Sequence, residues 1–233
     1  MLNYFVFDNK KSRDFGILIA DKPKIYGAPA MDIETISVPG KSGDLRKYNN
    51  RLENYILSYR CNLRCTPEKS RKIKSWLYQP EYKRLYDSYV SGYFRWAALN
   101  KGIDDENGRI FTEFDVEFTC KPYLYSFEGE KEIDVASGDA IYNPEAYSAR
   151  PIIKLTKTSS VTTVIKIGSS AFKVNGTGQY TIDAETQSCY YDGVNRNSDI
   201  SSADIEIAPG ENYITRSGGA LSEFKIIPRW RTL

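Results

Sequence analysis

Apolar and polar residues alternate along many short stretches of this chain, and a period of two predicts β-strands rather than helices. The clearest stretch spans residues 51–65. One side of it is formed by Tyr55, Leu57, Tyr59, Cys61 and Leu63, and the other mainly by Ser58, Arg60, Asn62 and Arg64. We therefore predict a long strand that buries its tyrosine- and leucine-bearing side.

Turn signals near the N-terminus predict the first strands. Residues 3–7 form a predicted strand that stops at the turn-prone Asp8-Asn9, and we expect residues 15–20 to be its hairpin partner. Residues 32–38 form another predicted strand, which a proline and two glycines terminate.

A second long hairpin is predicted around Asn107-Gly108, a dipeptide that favours tight turns with positive backbone angles. The two strands are residues 89–99 and 109–120. The second strand alternates, and its predicted inward side chains are Phe114, Val116, Phe118 and Cys120. One face of this hairpin is thus expected to join a core, and the other to meet water or a neighbour.

One helix is predicted between these strands. Thr66-Pro67-Glu68 offers an N-cap hydroxyl, a proline for the first helical position and an early acid, and the helix should run to about Tyr78. Its apolar stripe is Ile73, Trp76 and Leu77, whereas the remaining surface carries Lys69, Arg71, Lys72 and Lys74. Such a basic cluster usually indicates a solvated helix face, so a phosphate or DNA contact is the minority interpretation.

The second half of the chain consists of many short predicted strands. A polar, turn-rich stretch begins near residue 128, and we predict a domain boundary there, giving domains 1–128 and 129–233. The later strand segments are 133–135, 141–142, 152–156, 161–167, 171–174, 179–183, 189–191, 205–207, 213–215 and 224–227. Glycine-containing turns separate many of them, which predicts a β-sandwich or jelly roll.

Composition narrows the function. Lys plus Arg total 32 against 30 Asp plus Glu, and a formal charge of +2 is too balanced to favour nucleic acid or an anionic membrane surface. No stretch approaches the length of a membrane span, and the first residues lack a signal peptide's order, so synthesis in a cytoplasm is expected. Histidine is absent, which removes the commonest general base and metal ligand. We assign no catalytic, cofactor-binding or metal-binding residue.

Four cysteines could in principle form two disulfides or one zinc site: Cys61, Cys65, Cys120 and Cys189. Cys61 and Cys65 lie in one predicted strand, which would separate them by about 13 Å. Small buried apolar side chains are therefore the favoured role for all four cysteines.

The order of these segments resembles the distal tail protein family, often called Dit, of long-tailed phages that infect Gram-positive bacteria. In the first half the similar segments are residues 38–45, the strand leading into Thr66-Pro67-Glu68, the Trp76-Leu77 helix, and residues 114–122 with the pattern F-x-V-x-F-x-C-x-P. In the second half they are residues 143–152, 182–185, 209–212 and 227–231. The resemblance covers essentially the whole chain.

The resemblance implies a mainly β protein with an N-terminal β-sandwich-like domain, which bears one helix and a long hairpin, and a C-terminal galectin-like β-sandwich. It also implies a structural, non-enzymatic baseplate hub that forms a homohexameric ring at the tail tip of the virion. The ring would connect the tail tube to the adhesion apparatus, contact tape-measure and receptor-binding proteins, and assemble in the cytoplasm of the bacterial host.

A ring needs two complementary surfaces on each subunit. We expect part of that contact on the 89–120 hairpin and on the polar-aromatic face of residues 55–64, because tyrosine and arginine are enriched at interfaces. The candidates are Tyr59, Arg60, Arg95 and Trp96. The competing interpretation is that these side chains pack the core of their own domain.

The main alternative is a carbohydrate-binding module of a cell-surface recognition protein. Trp230, Asn212, Arg216 and Glu223 are candidates for a sugar-facing group, but galectins use a histidine-containing cluster, and fold similarity does not transfer a site. Carbohydrate binding is therefore disfavoured. Glycosidase-like carboxylates (Asp183 with Glu185, or the run Asp104-Asp105-Glu106) are also disfavoured, since they fall in turn-like sequence. A calcium loop at residues 104–108 is disfavoured because it lacks the alternating ligands and the distal glutamate, so a hairpin turn is favoured there.

Overall fold

The computed structural model describes residues 3–23, 29–63, 66–101 and 112–233. It divides into two compact units, Met1–Leu124 with Leu233, and Tyr125–Thr232. This division falls a few residues before the predicted boundary, and the roles assigned to the two domains stay predictions. Most elements are strands in antiparallel sheets, which confirms the mainly β fold class.

The first unit contains nine strands, one α-helix and a 3-10 turn, Ser12–Phe15, among its described residues. The strands are β1 (Phe5–Phe7), β2 (Lys10–Lys11), β3 (Ile17–Ile19), β4 (Met31–Ile36), β5 (Leu45–Leu52), β6 (Tyr55–Leu63), β7 (Lys83–Asp87), β8 (Tyr93–Leu99) and β9 (Thr112–Cys120), and the helix α1 is Pro67–Leu77. A short strand, β10 (Leu124–Ser126), spans the boundary between the units.

Seven strands of the first unit form one antiparallel sheet in the order β2-β1-β7-β8-β9-β6-β3. The strands β2 and β3 lie at opposite ends of this order, yet a short link connects Lys11 to Ile17. That link reaches at most about 20 Å, whereas seven flat strands would separate the end strands by about 29 Å. The sheet must therefore curl around its core, as a sandwich-like domain requires.

Helix α1 covers the core of this sheet, and its sequence signals act as predicted. The Thr66 hydroxyl accepts a hydrogen bond from the Lys69 N–H at 3.3 Å, which caps the first turn. Trp76 donates from Nε1 to the Phe7 carbonyl at 2.8 Å and stacks on Phe15 with ring centroids 4.3 Å apart. The buried helix side chains are Ile73, Trp76 and Leu77, as predicted from the apolar stripe.

The predicted first hairpin is wrong in its partner. Asp8 and Asn9 both adopt positive φ angles, 49° and 62°, so they form a two-residue turn that returns the chain at once to Lys10 and Lys11. Residues 15–20 contribute β3 instead, which pairs with β6 at the far end of the sheet. The sequence rule identified the turn but assigned the wrong segment to the returning strand.

The long strand predicted at residues 51–65 begins later, at Tyr55, because Arg51 belongs to the separate strand β5. Its inward side is as predicted: Leu57, Tyr59, Cys61 and Leu63 are buried. The strands β8 and β9 pair antiparallel, as the second hairpin requires, while the Asn107-Gly108 turn lies outside the described residues. Sequence reasoning did not identify β7, which pairs with both β1 and β8.

The second unit continues with eleven strands. They are β11 (Ile133–Asp134), β12 (Ala140–Asn143), β13 (Ile152–Lys157), β14 (Thr163–Ile167), β15 (Ser170–Val174), β16 (Gly178–Asp183), β17 (Ser188–Tyr191), β18 (Val194–Asn195), β19 (Gly210–Gly218), β20 (Leu221–Ile227) and β21 (Arg231–Thr232). Two 3-10 turns, Glu128–Glu130 and Asn197–Asp199, complete the unit. Most predicted segments are confirmed as strands; residues 205–207 contribute only an isolated bridge at Ile207.

Two sheets of the second unit enclose one core. The first has the order β11-β20-β13-β16-β17-β18, and the second has the order β12-β19-β14-β15. Alternate residues of both sheets meet in a single apolar cluster that includes Ile153, Ile165, Phe172, Ile182 and Ile214. The unit is thus an antiparallel β-sandwich, as its short, regularly spaced strand segments predict.

Candidate functional site

An exposed two-stranded arm is the most unusual feature of the first unit. The arm consists of β4 (Met31–Ile36), β5 (Leu45–Leu52) and their connection, and these two strands form a sheet of their own. Among the described residues, neither strand contributes a side chain to a buried apolar cluster. Met31 is 60% exposed and Tyr48 is 44% exposed, so large apolar side chains stand in water here.

The arm carries apolar pairs on both of its faces. Ile36 lies opposite Leu45, and Ile33 lies opposite Tyr48. Because Ile33 and Ile36 are three positions apart on one strand, the two pairs point to opposite faces. Both faces of the arm therefore carry apolar side chains that are at least partly exposed.

Local polar contacts shape the arm. Lys47 pairs with Glu34 across the strands at 3.3 Å, and Asp32 accepts hydrogen bonds from Asn49 and Arg51. These two bonds lower the pKa of Asp32. Asn50 adopts a positive φ of 56° where the register shifts, and this bulge increases the twist of the hairpin.

Two of the four predicted interface residues belong to a buried polar cluster instead. Tyr59 donates from its hydroxyl to Asp87 Oδ2 at 2.7 Å, and Arg95 donates to the same oxygen at 3.1 Å. The other carboxylate oxygen accepts the N–H groups of Tyr89 and Val90 at 2.9 and 3.0 Å. The side chains of Arg95 and Asp87 are 1% and 0% exposed, so the cluster lies inside the unit.

Tyr59 and Arg95 are buried in the first unit, and their part in a subunit contact stays a prediction. Their side chains stabilise the interior of the first unit. Burial, and then the negative charge of Asp87, raise the pKa of Tyr59 well above its usual value, so it remains a neutral donor. Their burial favours the competing interpretation, core packing.

The other two predicted interface residues lie nearer the surface. Arg60 is exposed and donates to Glu113 at 2.9 Å. Trp96 is partly buried, with the Arg84 guanidinium 5.6 Å from its ring centre. Both stay candidates for a subunit contact. The arm itself was not predicted from the sequence. The signal that could have revealed it is the composition of β5, which carries many polar residues and so has little to bury.

The predicted sugar-facing group is not assembled on an exposed face. Trp230 and Asn212 are buried, and Asn212 donates to the carbonyls of Ala208 and Gly210 at 2.8 and 3.0 Å. Arg216 lies over the Phe224 ring, and Glu223 pairs with Lys225 at 2.9 Å. The four side chains therefore do not share one exposed face.

The remaining chemical candidates are also occupied by structural contacts. Asp183 pairs with Arg229 at 2.5 Å and Glu185 pairs with Arg231 at 3.5 Å, while residues 104–108 lie outside the described residues. Of the cysteines, Cys61, Cys120 and Cys189 are free and buried; Cys65 also lies outside the described residues.

The described residues contain neither a metal-binding cluster nor a membrane-spanning helix. Within the described part of the chain, no group of three metal-ligating side chains is present. Nor does any helix there have the length and apolarity to cross a membrane.

Comparison with solved structures adds a fold-level relation. The Dit protein of phage SPP1, described as a paradigm of the hub adsorption apparatus in phages that infect Gram-positive bacteria, matches with a TM-score of 0.72 at 13% identity. The match covers 97% of each chain. The chain has a Dit-like fold. The resemblance read from the sequence is therefore confirmed at the level of fold.

Two structures of the phage p2 baseplate in its activated conformation, with strontium and with calcium, also match the Dit-like chain. Their TM-scores are 0.53 and 0.54 at 10% identity, and the matches cover 97% of this chain and 98% of theirs. No protein-family model matches the sequence, and neither does any curated protein. At these identities the likeness concerns the fold alone.

Proposed function

We propose that this chain is a structural subunit of a phage tail tip, where copies of it close into a hexameric ring. The ring would couple the tail tube to the adhesion apparatus and contact tape-measure and receptor-binding proteins. The role is mechanical rather than catalytic. Its location would be the tail tip of the virion, after assembly in the cytoplasm of the bacterial host.

The observation that carries this proposal is the exposed arm. An isolated two-stranded hairpin is marginally stable in water, and its open edges favour pairing with other chains. The arm keeps Met31, Ile36, Leu45 and Tyr48 in solvent. Burying the exposed part of each side chain against a neighbour would contribute on the order of 1 kcal/mol. The arm is therefore best explained as a segment that becomes covered in an assembly.

A ring also explains why the arm belongs to a unit with a complete core. Head-to-tail contacts close a ring when each subunit offers a projecting surface and a separate surface that receives it. We infer that the arm is the projecting surface, and that Arg60 and Trp96 belong to the receiving one. The Dit-like fold supports this assignment, since the SPP1 protein with that fold is described as a hub.

Assembly state tests the proposal directly. Size-exclusion chromatography with light scattering should give a mass of about 160 kDa, six times the 26.6 kDa chain, and negative-stain images should contain rings. Replacing Ile36 and Leu45 together by serine should abolish the rings without unfolding the chain, because the arm lies outside both cores.

A control removes two apolar side chains elsewhere that are more exposed than Ile36 and Leu45. The double substitution Val161→Ser with Val194→Ser in the second unit should leave the rings intact. Rings that survive the arm substitution, or that are lost equally in the control, would contradict the assignment. A wild-type chain that stays monomeric even with assembled tail tubes would overturn the ring itself.

A further inference from the structure

The outer face of the four-stranded sheet in the second unit carries two strongly exposed tyrosines. Tyr142 on β12 is 67% exposed and Tyr213 on β19 is 60% exposed. These strands pair antiparallel, with Tyr142 opposite Glu211 and Ala140 opposite Tyr213. The two tyrosines are thus diagonal neighbours on one face, at a typical Cβ separation of about 7 Å.

Strand alternation explains how both rings come to point outward. On β12 the buried residues are Ile141 and Asn143, and on β19 they are Asn212 and Ile214. The tyrosines occupy the positions between them, so they face away from the core of the sandwich. A large aromatic side chain that stays exposed stabilises its own sheet less than a buried one does. Two such side chains next to each other therefore indicate a binding surface.

Polar groups surround the two rings. Glu211 accepts the Tyr213 hydroxyl proton in a hydrogen bond of 2.8 Å, which fixes that ring next to a carboxylate. This bond raises the pKa of Tyr213. Lys166 and Thr215, paired across β14 and β19, are exposed on the adjoining row of the same face. The face therefore combines flat apolar rings with an acceptor, an amine and a hydroxyl.

We propose that this tyrosine face, formed by Tyr142, Glu211, Tyr213, Thr215 and Lys166, binds a neutral oligosaccharide. The apolar side of a sugar ring stacks on an exposed aromatic ring, and its hydroxyls hydrogen-bond to carboxylate, amine and hydroxyl groups of the kind found here. This inference goes beyond the ring-forming role, because it concerns the second unit alone and stands whether or not the chain assembles.

A sugar fits this face better than a protein partner does. A protein contact of ordinary size buries about 800 Å² on each side and has a desolvated apolar centre. Here two rings stand among charged and hydroxyl side chains, an area suited to a few sugar units. The face is also distinct from the disfavoured group around Trp230, in which Trp230 and Asn212 are buried.

The test uses the full chain and four neutral tetrasaccharides, built from glucose, galactose, rhamnose or N-acetylglucosamine. Saturation-transfer NMR should detect at least one of them at millimolar concentration. Tyr142→Ala and Tyr213→Ala should each weaken that binding about tenfold, which corresponds to about 1.4 kcal/mol per stacked ring. Glu211→Gln should weaken it less, because the amide still accepts a hydrogen bond.

A matched control replaces a tyrosine of the other sheet. Tyr191→Ala removes a ring that is also exposed, and it should leave the affinity unchanged. The inference is overturned if none of the four sugars binds, if the tyrosine-face variants bind as well as wild type, or if Tyr191→Ala weakens binding equally. It is also overturned if the variants lose a tail protein partner while no sugar binds. Ring formation is measured on the same variants. Failure of the sugar-binding inference can then be distinguished from failure of the ring proposal.

Discussion

The buried cluster of Tyr59, Asp87 and Arg95 yields the sharpest stability prediction. Replacing Asp87 by alanine removes a carboxylate that accepts four hydrogen bonds, two from side chains and two from the backbone N–H groups of Tyr89 and Val90. The substitution leaves the Arg95 guanidinium in the interior without its counter-charge. We expect the first unit to lose a large part of its free energy of unfolding.

The magnitude follows from the burial of both charges. Breaking a fully buried ion pair on one side costs about 3–5 kcal/mol, mainly because the remaining charge stays desolvated. An exposed pair such as Glu68 with Lys72, 2.8 Å apart on helix α1, contributes far less, because water screens both charges. Asp87→Ala should therefore destabilise the unit several times more than Glu68→Gln, which serves as the control.

Hydrogen exchange measured by mass spectrometry on peptides from β6 and β9 reports the unfolding of this unit directly. The double variant Asp87→Ala with Arg95→Met tests the cause, because it removes both charges. It should be at least about 2 kcal/mol more stable than Asp87→Ala alone. A cost below about 1 kcal/mol for Asp87→Ala, or a double variant no more stable than the single one, would refute the reasoning.

Two further predictions concern other parts of the chain. Gly129→Ala should destabilise the second unit by about 1–3 kcal/mol, because the new Cβ would lie 2.3 Å from the Trp230 backbone nitrogen. Hydrogen exchange in β13 that is unchanged by the substitution would contradict this prediction. Burial raises the pKa of the Cys61 and Cys120 thiols to about 12, above the usual value of about 8.5. The contribution of these thiols to the free energy of unfolding is therefore complete below pH ~8.5 and declines as the pH rises toward 12. Both thiols should resist alkylation at pH 8 until urea unfolds the chain, as mass spectrometry can check, and rapid labelling of the folded protein would refute this.

Much of the fold could be predicted from local signals. The helix starts after Thr66 and buries Trp76 because capping and periodicity act within a few residues. The pairing of β1 could not be predicted this way, since Phe5 lies opposite Asp87, far along the chain. Strand partners separated by many residues are set by tertiary packing, which leaves no local pattern.

The candidate sites show the same limit. The alternation at Tyr59 correctly identified an inward side, but the preference of tyrosine for interfaces suggested the opposite role. Whether Tyr59 packs inward or meets a neighbour depends on whether Asp87 and Arg95 lie beside it. The spacing of these residues in the sequence does not reveal that they are neighbours. The exposed Tyr142 and Tyr213 likewise come together only through the register of β12 and β19.

The sheet order of the first unit has a consequence during synthesis on the ribosome. The strand β1 leaves the ribosome first, but its long-range partner β7 follows only about 80 residues later. At about 5–20 residues per second, translation takes roughly 4–16 s to supply it. During that delay the only sheet partner of β1 among the described strands is the two-residue strand β2. Nascent chains arrested before β7 should therefore bind chaperones strongly, whereas chains arrested well past β9 should not.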